Sequence, residues 1–113
     1  MQGWSRFKQR LVSGLFDLIV FGILLDGGHG AFDIIHLISK RFDTLISPGT
    51  LYPRLRTLEK LELISEASDG RRKIFMLTPQ GRQVISLARE EYDRLHSSVI
   101  MLTSHERGIN TKC

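Results

Sequence analysis

The chain has 113 residues, 42% of them apolar and 25% charged, with a net charge of +4 and a pI near 9.6. That length suggests one domain, and the composition excludes disorder over most of it. The longest near-apolar run, Leu15 to Leu25, is interrupted by Asp17 and is too short to span a bilayer. It also starts late and leads into Asp26-Gly-Gly-His29, a poor fit to a secretory signal.

Cys113 is the single cysteine, so no internal disulfide and no paired thiol ligands for zinc can form. A reducing, cytoplasmic setting is expected. The charge is unevenly distributed. Residues 1–12 carry Arg6, Lys8 and Arg10 with no anion, and residues 13–39 carry only Asp17, Asp26 and Asp33. Residues 40–82 hold nine cations against five anions, a local basic footprint of the kind phosphate binding uses.

Trp4, Phe7 and Leu11 recur at helical spacing among cations, which predicts an amphipathic lead-in helix that Gly14 can interrupt. Leu15 to Leu25 reads as a buried helix in phase with that lead-in, ended by the glycines of residues 26–30, a turn that His29 is expected to serve. Ala31 to Phe42 repeats Ile34, Ile35, Leu37, Ile38 and Phe42, with Lys40 and Arg41 in the last turn. Ser47 then caps a third helix with Pro48 at its first position, where a missing N–H costs nothing.

Leu51, Leu55, Leu58 and Leu61 form the expected inward stripe of that third helix. On a wheel of about 100° per residue the opposite side gathers Gly49, Pro53, Arg56, Thr57 and Lys60, with Thr50 and Arg54 on one flank and Tyr52 on the other. Arginine can grip guanine or phosphate, and the hydroxyls can bond either. The helix N-terminus adds free N–H groups that favour phosphate. A solvated charged face is the plainer reading of the same residues. Pro53 removes one backbone bond and is expected to bend or loosen the helix.

Leu63 to Ala67 and Lys73 to Thr78 are short strand candidates, joined through Asp69-Gly70 as a hairpin. Arg71, Arg72 and Lys73 follow that turn. Three adjacent cations repel, and contact with phosphate or the minor groove would account for them, as would a merely soluble turn. Thr78-Pro79 starts a last helix to about Glu106, in which Ala88, Tyr92, Leu95, Val99 and Leu102 are spaced four, three, four, three. That heptad seam needs a partner, and a second copy of the chain is the simplest one. Trp4, Phe7 and Leu11 could join the interface, or the seam could fold back on its own domain.

Three helices, a hairpin and a long helix make a mainly α winged helix-turn-helix with a small β-hairpin. Its parts are an N-terminal extension at 1–13, the winged-helix unit at 14–78, a dimerisation helix at 79–107 and a tail at 108–113. The candidate DNA-contacting residues are Lys40, Ser47, Thr50, Tyr52, Arg54, Arg56, Lys60, Arg71, Arg72 and Lys73. His29, His36, His96 and His105 share no metal-ligand spacing, and no phosphate-binding glycine loop or nucleophile elbow is present. Neither a metal, a cofactor nor an enzymatic activity is expected.

The chain resembles the PadR-like transcriptional regulators from about Gly14 to the final helix. The resemblance rests on Leu15-Phe-Asp-Leu-Ile-Val-Phe-Gly-Ile-Leu24, His29-Gly-Ala-Phe-Asp-Ile34, Asp69-Gly-Arg-Arg-Lys73 and Leu77-Thr-Pro-Gln-Gly81. Its most specific element is Ser47-Pro-Gly-Thr-Leu-Tyr-Pro53, followed by Leu55, Leu58-Glu59 and Leu63-Ile64. It implies a winged-helix repressor or regulator of double-stranded DNA that forms a homodimer through one C-terminal helix. Thr50 and Tyr52 would lie in the recognition motif, Arg71, Arg72 and Lys73 in the wing, and Pro53 would be accommodated.

Two positions depart from the pattern. Ala31 precedes Phe32 and Asp33 where an aromatic commonly follows His-Gly directly, and Glu62 stands where a glycine commonly precedes the Leu-Ile pair. The resemblance also admits a small apolar effector between the dimer's helices, with Trp4 the large aromatic available to meet it. A protein-interaction module and a non-specific architectural DNA binder are the alternatives.

Overall fold

The computed structural model describes residues 2–108, so the expected tail beyond Gly108 lies outside the described residues. Five helices and one hairpin follow in order: α1 (Gln2–Gly14), α2 (Phe16–Leu24), α3 (Ala31–Phe42), α4 (Pro48–Lys60), β1 (Ile64–Asp69), β2 (Arg72–Leu77) and α5 (Pro79–Gly108). This is the winged helix-turn-helix, with α3 and α4 as the helix pair and the hairpin as the wing. Among the described residues no helix is long and apolar enough to cross a membrane.

The lead-in and the apolar run are two helices rather than one in continuous phase. Leu15 leaves helical geometry at φ −100° and ψ 6°, and its N–H is shared between the carbonyls of Leu11 and Val12. The chain turns there, so Phe16, Val20 and Leu24 enter the core while Trp4, Phe7 and Leu11 stay exposed on α1. Ile34 and Ile38 of α3 and Leu51, Leu55 and Leu58 of α4 complete the helical part of the core. Ile64, Phe75 and Leu77 close it from the hairpin.

Leu61, expected on the inward stripe of α4, is 56% exposed. The helix ends one residue earlier and reverses. The Leu63 N–H donates to the Leu58 carbonyl and the Glu62 N–H to the Glu59 carbonyl, the paired bonds of a Schellman turn. That reversal carries Leu63 and Ile64 into the core in place of Leu61. It also forces Glu62 into the left-handed region at φ 61°. The glycine commonly found at this position in similar sequences thus has a conformational reason.

The strands reach further toward the tip than expected. They pair antiparallel from Ile64 opposite Leu77 to Asp69 opposite Arg72, leaving Gly70-Arg71 as the two-residue turn. Gly70 has φ 68° and Arg71 a negative φ, the pattern of a type II′ turn. His29 adds a bridge on the other edge of β2. Its N–H donates to the Phe75 carbonyl at 3.0 Å, and its carbonyl accepts from the Phe75 N–H at 2.9 Å. Gly28 lies so close to β2 that a Cβ there would collide with the Ile74 and Met76 side chains. The glycine turn thereby fastens the start of α3 to the wing.

Thr78 links the hairpin to α5. Its hydroxyl donates to the Glu62 carbonyl at 2.7 Å and accepts from the Gly81 N–H at 2.9 Å. The helix α5 then runs for 30 residues, about 45 Å at 1.5 Å per residue.

Left-handed backbone costs a residue with a Cβ about 1–2 kcal/mol, partly offset in glycine by about 0.5–1 kcal/mol of extra unfolded freedom. Glu62→Gly should therefore stabilise the fold by about 0.5–1 kcal/mol, read as a higher urea midpoint at constant slope. A lower midpoint would show that Glu62 is held there by something stronger than the turn.

Candidate nucleic-acid interface

Burial of Leu51, Leu55 and Leu58 fixes the orientation of α4. The remaining surface follows from it: Gly49, Thr50, Pro53, Arg56, Thr57 and Lys60 are all exposed. Ser47 caps the helix as expected, its hydroxyl oxygen accepting from the Thr50 N–H at 3.2 Å and donating to Thr50 Oγ1 at 3.2 Å. The helix is continuous through Pro53. Pro53 falls in the second turn, where the missing N–H removes a single bond, and the Thr57 hydroxyl donates to the Pro53 carbonyl at 3.1 Å.

The two flanks of α4 have different fates. Tyr52 is half-buried and packs on the core edge. With Gly30, Ala31, Phe32, Asp33, Arg71, Arg72 and Lys73 it lines a cleft of about 380 Å³ between the wing, α4 and the start of α3. Arg54, placed by the sequence among the DNA-contacting residues, turns the other way. It donates to the Ser13 carbonyl and hydroxyl at 2.8 and 3.0 Å, and its guanidinium lies 5.1 Å over the Phe16 ring. Its donors are used inside the protomer, so it leaves the outward set.

The basic triplet is not simply a loop tip. Arg71 alone sits in the turn, while Arg72 and Lys73 belong to β2. Arg72 pairs with Asp33 at 3.3 Å and Lys73 with Glu66 at 3.6 Å. These groups are largely solvent-facing, so each pair is worth under about 1 kcal/mol and orients its cation without consuming it. Among the described residues Arg71, Lys40 and Lys60 have no ion pair, and Arg56 meets Glu59 at 3.5 Å. Lys40 stands apart from the cleft. It borders an apolar groove with Ile19, Gly22, Ile23, Leu37, Arg41 and Phe42.

Phe32 and Asp33 were not among the candidate DNA-contacting residues. Phe32 is 72% exposed at the mouth of the cleft. Its signal was available, because it falls off the Ile34–Ile38 stripe and so has no core position. The seam residues divide. Ala88, Tyr92 and Leu95 line a groove with Leu15, Leu18 and Phe21 of the same protomer, whereas Val99 and Leu102 are exposed. Trp4 borders a mostly polar groove with Ser5, Lys8, Gln9, Asp43, Thr44 and Leu45.

Residues 20–87 match the model of the transcriptional regulator PadR-like family, more than half of the chain and all of α3, α4 and the wing. The chain belongs to that family. A transcriptional regulator of Mycobacterium tuberculosis is 37% identical over 70 residues, a match spanning 58% of this chain and 65% of that protein's length. A PadR family transcriptional regulator from Eggerthella lenta superimposes with a TM-score of 0.79 at 22% identity, over 90% of this chain and 93% of that one. A transcriptional regulator from Clostridium thermocellum gives a TM-score of 0.72 at 26% identity, over 80% of this chain and 94% of that one. The winged-helix DNA-binding protein F93 from STIV shares the fold at a TM-score of 0.65 and 24% identity, over 72% and 90% of the two chains.

The PadR-like signature Ser47 to Pro53 thus coincides with the cap and first turns of the exposed helix. Ser47→Ala removes the cap and should cost about 1 kcal/mol, whereas Ser47→Asp should restore most of it. Equal urea midpoints for wild type and Ser47→Ala would show the cap to be idle.

Proposed function

We propose that this PadR-like regulator binds double-stranded DNA sequence-specifically as a cytoplasmic homodimer and acts as a repressor. The observation that carries the reading is the cleft in which Tyr52, at the edge of the outward α4 face, meets Arg71, Arg72 and Lys73 of the wing. Thr50, Arg56 and Lys60 on that face and Tyr52 at its edge are candidates for the major groove. Arg71, Arg72 and Lys73 are candidates for phosphate or the minor groove. Ser47 and the free N–H groups of the first turn suit a backbone phosphate. Lys40 would reach DNA only at the margin of this surface.

The far half of α5 supports the homodimer. Leu95, Val99, Ile100, Met101 and Leu102 are all at least half-exposed or nearly so in the protomer. Each large apolar side chain left in water forgoes about 1.5–3 kcal/mol of burial. A second α5 laid along the four-three seam would cover Val99 and Leu102, with Trp4, Phe7 and Leu11 at the border. Two-fold pairing of this kind would present two α4 helices to successive major grooves roughly 34 Å apart. An apolar effector would bind between the dimer's paired α5 helices.

Salt dependence tests the DNA reading. Log affinity should fall with log salt at about −0.9 per phosphate neutralised. Arg71→Ala with Arg72→Ala should flatten that slope and weaken selected and random duplexes alike. An unchanged slope removes the wing from the interface. Equal affinity for sequences selected from a random pool and for bulk duplex would favour an architectural binder. No binding at low salt would favour a protein-interaction module.

Leu102→Glu tests the dimer. Leu102 is 75% exposed in the protomer, so the charge should leave the fold intact and split the dimer. Sedimentation of a surviving dimer would place the interface elsewhere.

A further inference from the structure

Arg54 lies on the helix proposed to enter the groove, yet its donors point at the corner between α1 and α2. The Ser13 carbonyl it meets belongs to the last turn of α1, where carbonyls have no intrahelical donor and a cation is favoured. The second guanidinium nitrogen meets the Ser13 hydroxyl, and the plane covers Phe16, which is fully buried. Two acceptors and a ring face match the planar fork of arginine and not the single point of a lysine. A second polar tie holds α1 to the turn of the helix-turn-helix. Lys8 donates to the Asp43 carbonyl at 3.3 Å, in the connector between α3 and α4.

We propose that Arg54 is a positioning residue that clasps the recognition helix to the α1–α2 corner, so that the placement of α1 sets how α4 is presented to DNA. The proposal rests on the DNA-binding reading of α4. It makes α1 a coupling helix. It is tied to α4 through Ser13 and to the connector through Lys8, while its apolar side chains Trp4, Phe7 and Leu11 stay in the open. Whatever covers that apolar side also bears on the seat of α4.

The test uses the full chain and two duplexes, one selected from a random pool and one random. Arg54→Met keeps the stem over Phe16 and removes the fork. It should weaken the selected duplex about tenfold, leave the random duplex unchanged and leave the salt slope unchanged. Ser13→Ala removes one acceptor and should act in the same direction by less, and the double variant should be no weaker than Arg54→Met alone. Arg54→Lys should recover only part of the loss. A flatter salt slope in Arg54→Met would make Arg54 a phosphate contact and overturn the proposal, as would additive effects of the two substitutions.

Hydrogen exchange separates this from failure of the DNA reading. Arg54→Met should speed exchange severalfold at the α1–α2 corner with no change in the hairpin. If wild type binds no duplex at low salt, the DNA reading falls and the clasp is judged on exchange alone. Unchanged exchange at the corner would then overturn the clasp itself.

Discussion

The constraint on which the rest depends is the complete burial of three leucines on one side of α4. Leu51 and Leu55 have no exposed surface and Leu58 almost none. At about 1.5–3 kcal/mol for each buried side chain, rotating α4 about its axis would cost about as much as the whole stability of a small domain. The outward face is therefore not chosen by its own chemistry. It is what remains once the leucines are seated, and its polar groups make only local contacts within α4 and its cap.

Seating alone leaves α4 able to rock. The flanks limit that motion by different means. On the wing side, Tyr52 packs at the core edge, and the His29–Phe75 bridge joins the α3 start to β2. On the α1 side, the hold is polar and local, through Arg54 and Ser13. Apolar packing is broad and tolerant, whereas a forked hydrogen bond specifies one position. In the proposed complex, a helix meeting bases within hydrogen-bond tolerance would gain from having both.

The sequence made the elements legible because their signals are local. Ser47-Pro48 marks a helix start through cap chemistry, Gly70 marks a turn through its φ, and the four-three spacing marks a seam. The partners of the cations were not legible. Arg72 meets Asp33 across 39 positions and Arg54 meets Ser13 across 41. Nothing near either arginine in sequence announces such a partner. On a helical wheel Arg54 falls on a flank, and a long stem can carry its charge to either side of a flank position. Leu61 was misplaced for a related reason. Periodicity continues past a helix end on paper, but the left-handed Glu62 rotates everything after it.

The same contrast explains α5. A heptad seam read from sequence has one face, and either a second copy or the chain's own domain could cover it. The structure divides that face at Leu95, with the nearer residues over α2 and the farther ones in solvent. Stability of the winged helix then depends on the first turns of α5, which Thr78 and the α2 groove anchor, and hardly on the last. Substitutions at the far end could alter the proposed self-association while leaving the fold and the α4 face untouched. In the proposed dimer, α1 would be the element next to both halves. Its Trp4, Phe7 and Leu11 would border the seam, while Arg54 ties its last turn to α4.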